Sequence, residues 1–351
     1  MTTDNGQLDQ FNDSFLRACA GERTTPVPVW FMRQAGRYMP EYQAVRGKHD
    51  FLTMCKRPEL AAEVTIQPVD ILGVDAAILF SDILIPLEAM GAGLSFQEGR
   101  GPVLSPPIRS RQQFQELHGI DPYEDLPFVM EAIRMLRKEL EGRVPLIGFA
   151  GAPFTLASYL IEGGTTKSFV NIKRMAFEDP KLFHDLMSLI TGVTIDYLTA
   201  QAEAGAQALQ LFDTWAGVLG RADYEAFALP YAKRIVQALK QQNIPFIYFV
   251  FNGGHLIDLV KSAGADVMAL DWRTDIAHAT GHLGSDIVVQ GNLDPAALFL
   301  PEDELRQRIS RILQQGRGAK AHIFNLGHGI MPEIPVEKVK MAVDLAHQLS
   351  A

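Results

Sequence analysis

The sequence predicts an α/β fold: a single (β/α)₈ barrel of the TIM type, with a short β-hairpin inserted near residues 93–104. Three observations lead there. Short apolar runs alternate with stretches of helical periodicity along nearly the whole chain, which implies a parallel sheet. Eight such units can be counted, and eight imply closure into a barrel. No G-x-G-x-x-G follows the first apolar run, and eight units exceed what a doubly wound open sheet usually carries. No composition break or Ser/Pro-rich linker interrupts the 351 residues, so residues 1–351 are expected to form one domain, the first ten of them flexible.

Taken in order, residues 11–20 read as a short amphipathic helix leading into the first strand, 26–31, rich in β-formers. Arg57-Pro58-Glu59 opens a helix with proline in its first turn, and Leu60, Val64 and Ile71 follow at helical spacing. A buried strand, 75–80, ends abruptly in Ser81-Asp82. Weak alternation around Glu98-Gly99-Arg100-Gly101 marks the hairpin. A helix at 126–140 precedes the strand 144–149, and a further helix carries Tyr159. A long helical region, 180–205, leads to the strand 208–212 and Asp213-Thr214-Trp215. The last four strands fall at 245–251, 267–270, 287–289 and 322–324, each followed by a helical pattern, the final one at 336–349.

Apolar residues make up 47% and charged ones 21%, which excludes extensive disorder. The net charge of −9 removes the electrostatic case for nucleic acid or an anionic membrane. No apolar run approaches the length of a membrane span, and the polar, acidic start is unlike a signal peptide. Cys19 and Cys55 offer neither a disulfide framework nor a metal-ligand pattern, which fits a reducing cytoplasm.

In a barrel the C-terminal strand ends form one rim, where active sites sit. Read from the strand ends, that rim carries Arg33, Arg37, Asp82, Gly151, Thr214, Gly254, His255, Asp271, Asn292 and His328. Arg33 and Arg37, four residues apart around Ala35-Gly36, follow a hydrophobic strand, and guanidinium forks suit carboxylates or phosphates. Solvated pairing with Glu41 or Asp50 is the plainer alternative. Asp82 closes a wholly apolar strand with no Lys or Arg within five residues, so its carboxylate is expected to be partly desolvated; a capping role is the alternative. His328 lies between two glycines, and Tyr159 on a helix is either core or site. Phe31, Met32, Phe80, Phe149 and Phe212 fill the core or line a large apolar pocket. An arginine-rimmed, aromatic-walled pocket suits a wide, flat polyanion.

Five stretches together resemble the uroporphyrinogen decarboxylase family: 30–40 with its Arg-Gln-Ala-Gly-Arg-Tyr run, 78–84, 148–164, 211–217 and 325–329. The resemblance implies a cofactor-free, metal-free, homodimeric cytoplasmic enzyme with a distorted barrel. It implies removal of the four acetate carboxyls of uroporphyrinogen III, giving coproporphyrinogen III and four CO₂ on the route to haem and chlorophyll. Carried over by position, the substrate-contacting residues are Arg33, Gln34, Ala35, Gly36, Arg37, Asp82, Tyr159, Thr214 and His328, with Asp82 and Arg37 catalytic. Arg46 and Phe51 match less well, and some family members have serine where this chain has Thr214. Two rivals stand beside this reading. Related barrel methyltransferases use a thiolate-rich zinc site, but no cysteine follows Cys55 here. A non-catalytic tetrapyrrole-binding module has the same pocket, yet would gain nothing from a desolvated Asp82.

Overall fold

The computed structural model describes residues 11–97 and 101–351. The expected flexibility of residues 1–10, and the hairpin tip at Glu98-Gly99-Arg100, lie outside the described residues. In chain order the strands are β1 (Ala77–Ile78), β2 (Leu94–Gln97), β3 (Gly101–Leu104), β4 (Leu146–Gly151), β5 (Ala208–Asp213), β6 (Phe246–Val250), β7 (Val267–Ala269), β8 (Val288–Gln290) and β9 (Ala321–Ile323). Seven of them form one parallel sheet in the order β1-β4-β5-β6-β7-β8-β9. The other two, β2 and β3, pair antiparallel as the inserted hairpin.

Helices carry the chain back between sheet strands, and local chemistry sets their ends. Pro58 and Pro180 occupy first turns, where a missing N–H costs no helical bond. Asp179 caps the long helix Pro180–Ala204 by accepting from Leu182 N at 3.0 Å. Gly205 ends that helix at φ 119°, a conformation that side chains rarely adopt.

The expected first strand is corrected. Residues 26–31 lie where the eighth strand belongs but form only an isolated parallel bridge, Val29 with Phe324. The cause is proline: Pro26 and Pro28 have no N–H to donate, so a ladder cannot propagate. The seam closes by other means. On the β9 side, Phe324 N donates to Pro28 O (2.9 Å) and Trp30 N to Phe324 O (3.3 Å). On the β1 side, Asp75 N donates to Val29 O at 2.7 Å, and Val29 N donates back to the Asp75 carboxylate at 2.7 Å. Gln34, fully buried, accepts from Phe31 N at 3.0 Å and donates to Ala76 O at 3.1 Å. Two side chains thus substitute for the ladder that the prolines deny.

The barrel interior holds Trp30, Met32, Ile147, Ala208, Ile247, Phe249, Val267, Val288 and Ile323 in one cluster. Phe15, Ala18 and Cys19 of the helix Ser14–Cys19 join it, so that helix packs against the interior. Burying Phe15 fully contributes about 1.5–3 kcal/mol by area. A polar thread crosses this interior: Trp30 Nε1 donates to Gln290 Oε1 (3.0 Å), and Gln290 Nε2 to Gln210 Oε1 (3.2 Å).

Candidate active site

The first rim segment places its arginines by bracing everything around them. Arg33 sits at φ 59°, unusual for a residue with a side chain, and Gln34 beside it is pinned on both sides of the seam. Tyr38 donates to Gln34 O at 2.6 Å and fixes the turn that Ala35 and Gly36 form. The Arg33 and Arg37 heads are left exposed, and neither takes part in any described ion pair. Asp50, one expected partner, instead caps the helix Phe51–Lys56 through Thr53. Gln34 therefore has its side chain in the seam, and the guanidiniums beside it face outward.

Asp82 follows β1 by four residues and is half-buried. It accepts from Leu84 N at 2.9 Å through Oδ1, a turn contact rather than a helix cap, since the helix Ile85–Ala89 is entered at Leu84. Among the described residues nothing bonds the other oxygen, Oδ2. Burial raises the pKa of this carboxyl above the ordinary carboxylate range, while Leu84 N–H and Arg33 pull it down. Tyr159 lies buried on the helix Pro153–Glu162, against Trp215 with ring centres 5.9 Å apart. Burial pushes its phenol up to about 12, with Asp82 adding to the rise and Arg33 opposing it. Arg33, Asp82 and Tyr159 thus feel one another across the barrel mouth.

His328 is half-buried behind β9, with its ring 4.6 Å from Phe251. Burial foremost, with Arg33 and Arg273 adding to it, lowers its imidazole to about 4, so it is neutral at physiological pH. Its two glycines admit protein neighbours. A Cβ on Gly329 would strike the Arg33 stem, and one on Gly327 would strike the Trp272 backbone. Thr214 stands half-buried just past β5, next to Asp213. That aspartate is buried, with its carboxyl raised by burial to about 6, and it accepts from Thr155 Oγ1 (2.7 Å) and Tyr248 OH (3.0 Å).

The wall between these polar groups is a ladder of rings. Phe149 meets Phe212 at 5.6 Å, Phe212 meets Phe249 at 6.1 Å, Phe249 meets Phe251 at 6.4 Å, and Phe251 meets Trp272 at 5.5 Å. On the β1 side, Phe80 touches Tyr42 and Phe51 at 5.8 Å each, and Phe51 reaches the hairpin's Phe96 at 4.8 Å. Phe51 is therefore part of the aromatic packing beside Asp82. Arg46 is exposed and donates to His49 O at 2.9 Å; it and Arg37 both act electrostatically on Tyr42.

Three other rim residues act as latches. His255 is bonded to Leu219 O (2.9 Å), Asn292 to the carbonyls of Asp271 (2.9 Å) and Thr274 (2.5 Å), and Asp271 to the N–H groups of Asn252 and Arg273. Arg273, absent from the residues singled out by sequence, lies over the Trp272 ring at 4.1 Å and the Phe251 ring at 5.0 Å. Its signal was the one that marked Arg33: an arginine just beyond a strand end. A recess of about 530 Å³ lies at the opposite end of the strands, but there Lys320 pairs with Asp286 and Lys261 bonds Leu283 O. Among the described residues no three His, Cys, Asp or Glu side chains gather as a metal would need, and no helix is long and apolar enough to cross a membrane.

The strand ends thus carry a run of aromatic rings with exposed arginines around it, and one carboxylate, one phenol and one neutral imidazole beside it. Chains of known kind share both its sequence and its shape. Residues 10–349 match the family described as uroporphyrinogen decarboxylase (URO-D). Uroporphyrinogen decarboxylase from Desulfotalea psychrophila is 57% identical over 339 residues, covering 97% of this chain and 99% of the relative. The enzyme of that name from Carboxydothermus hydrogenoformans is 52% identical, covering 97% of each chain. Among solved structures, a methyltransferase from Methanosarcina mazei superposes with a TM-score of 0.76 at 19% identity, covering 97% of this chain and 99% of its own; that likeness concerns the fold alone. With nearly its whole length matched by the family model and by relatives more than half identical to it, the chain belongs to the uroporphyrinogen decarboxylase family.

Proposed function

We propose that this chain decarboxylates the four acetate side chains of uroporphyrinogen III to methyls, giving coproporphyrinogen III and CO₂ in tetrapyrrole biosynthesis. The observation that carries the mechanism is the placement of Asp82: a desolvated carboxylate beside the ring-lined face that we take as the substrate slot, with no direct ion pair among the described residues. A pure polyanion binder would gain nothing from it. The related barrel methyltransferases need late thiolate ligands, and both cysteines here, Cys19 and Cys55, come early and are buried and unpaired.

The chemistry follows from the substrate. Its carboxylates are held by guanidiniums, Arg33 and Arg37 foremost, while its ring faces lie on the aromatic wall. Protonation of a pyrrole ring carbon next to the acetate-bearing one creates a cationic iminium. The C–COO⁻ bond then breaks; its electron pair forms an exocyclic double bond and neutralises the iminium nitrogen as CO₂ departs. A proton adds to the exocyclic carbon, giving the methyl, and the ring carbon returns its proton to restore the pyrrole. Each cycle takes up one proton net and releases one CO₂. The electron sink is thus the substrate's own ring, and no further cofactor is part of the proposal.

In its ionised form Asp82 accepts the pyrrole N–H groups in the ground state and attracts the cation in the transition state. Only the second interaction grows along the reaction, which is the condition for catalysis. Tyr159 stays protonated and Thr214 carries a hydroxyl, so both serve as donors to substrate carboxylates; His328, neutral, offers a donor or an acceptor. The same proposal includes a cytoplasmic homodimer whose subunits are single domains, with sedimentation equilibrium as the test of the dimer. The enzymatic reading is tested by anaerobic incubation with uroporphyrinogen III and chromatography of the oxidised products. Seven-, six-, five- and four-carboxyl porphyrins are expected; recovery of unchanged eight-carboxyl material overturns it.

A further inference from the structure

We infer that Arg273 is a further substrate-binding residue, holding a carboxylate of the tetrapyrrole on the β7 side of the slot; this rests on the function proposed above. Two strands, β8 and β9, separate β7 from the first rim segment, so Arg273 and Arg33 approach His328 from different directions around the rim. The approach is built in. Gly327 lets the Trp272 backbone close on the loop after β9, as Gly329 lets in the Arg33 stem.

The guanidinium itself is posed for a ligand. Its central carbon lies over Trp272 and Phe251, which holds the head in place by cation–π attraction, a contact that uses none of its N–H donors. It takes part in no described ion pair. The acids nearest in sequence have other tasks: Asp271 receives backbone N–H groups, and Asp275 caps the helix Ile276–Leu283 and meets Arg311 and Gln315. Phe251, the ring beneath it, also touches His328, so an anion on its edge would border the same slot. A ligand with eight carboxylates presents more anions than Arg33 and Arg37 can fork onto, and an arginine stacked on the slot wall meets that excess.

The test is steady-state kinetics of Arg273→Gln and Arg273→Lys with uroporphyrinogen at two ionic strengths. For Arg273→Gln we expect KM to rise about 10- to 100-fold, the scale of one charge-assisted contact, with kcat within about threefold of wild type. Arg273→Lys, which keeps the charge but not the fork, should show an intermediate KM and a salt dependence like wild type, whereas the Gln variant should depend less steeply on salt. If the Gln variant does not fold, the Lys variant decides by its raised KM at wild-type kcat. Unchanged KM in the folded Gln variant, or a fall in kcat at constant KM, overturns the assignment to Arg273. A wild-type protein without turnover overturns the proposed function instead.

Discussion

Replacing Asp82 by Asn separates catalysis from binding. Asn keeps the size, and its Oδ1 can still accept from Leu84 N–H, the one hydrogen bond the carboxylate makes among the described residues. What disappears is the negative charge. At a contact separation of about 4–5 Å and an effective dielectric of about 20, attraction between that charge and an iminium is about 3–4 kcal/mol. At about 1.4 kcal/mol per factor of ten, the single-turnover rate should fall about 10²- to 10³-fold. In the ground state the pyrroles are neutral and an amide oxygen still accepts their N–H groups, so affinity should change by about tenfold or less. Burial also raises the Asp82 carboxyl, so the acid limb of the wild-type rate should lie above the ordinary carboxylate range and vanish in the variant. Substrate binding and single-turnover rates measured on one preparation decide it. Affinity that collapses while the bound-state rate holds would refute the electron-sink role and leave Asp82 a positioning residue.

Arg37→Ala should lower kcat/KM about 10- to 150-fold by removing a charge-assisted contact of about 1.5–3 kcal/mol, and Arg37→Lys should recover only part; a lysine variant with wild-type kinetics would count against the two-pronged grip. Gly329→Ala puts a methyl against the Arg33 stem, so KM should rise severalfold with kcat little changed; wild-type KM would mean that Arg33 need not lie where it does. At the far end of the chain, His347 bonds Asp75 at 2.6 Å, and Asp75, with a smaller contribution from Asp344, raises the imidazole above 6.5 despite burial and nearby Lys340. A raised folded value stabilises the fold fully below about pH 6.5, and that gain is lost as pH climbs through the folded value. Denaturant midpoints of wild type and His347→Gln should therefore converge as pH rises from the acid side of 6.5 to well above it, and a gap independent of pH would contradict the pairing.

How much was legible beforehand depends on which forces acted locally. The seven sheet strands were readable because runs such as 245–251, and 208–212 but for Gln210, are made of apolar and aromatic residues, as strands covered on both faces mostly are. The eighth was misread because β-forming Val29 and Trp30 lie among Pro26 and Pro28, whose missing N–H groups outweigh propensity. Rim membership followed from strand ends alone, which is why Arg33, Asp82, Thr214 and His328 could be named, whereas Tyr159, on the helix Pro153–Glu162, is assigned to the site only through the family resemblance. Orientation could not be read in that way. His255, Asp271 and Asn292 occupy equivalent rim positions and are held as latches by loops distant in sequence. The pose of Arg273 depends on Phe251, over twenty positions away, and on close approaches that a bare glycine does not announce.

One measurement bears most directly on whether the chain's own side chains and the substrate's ring suffice for the reaction. The protein is exhaustively chelated and dialysed, then given uroporphyrinogen III without oxygen, and CO₂ release is counted against coproporphyrinogen formed. The expected result is about four CO₂ per tetrapyrrole completed, one for each acetate lost, at a rate unchanged by chelation. Turnover abolished by the chelator and restored by added zinc would contradict it.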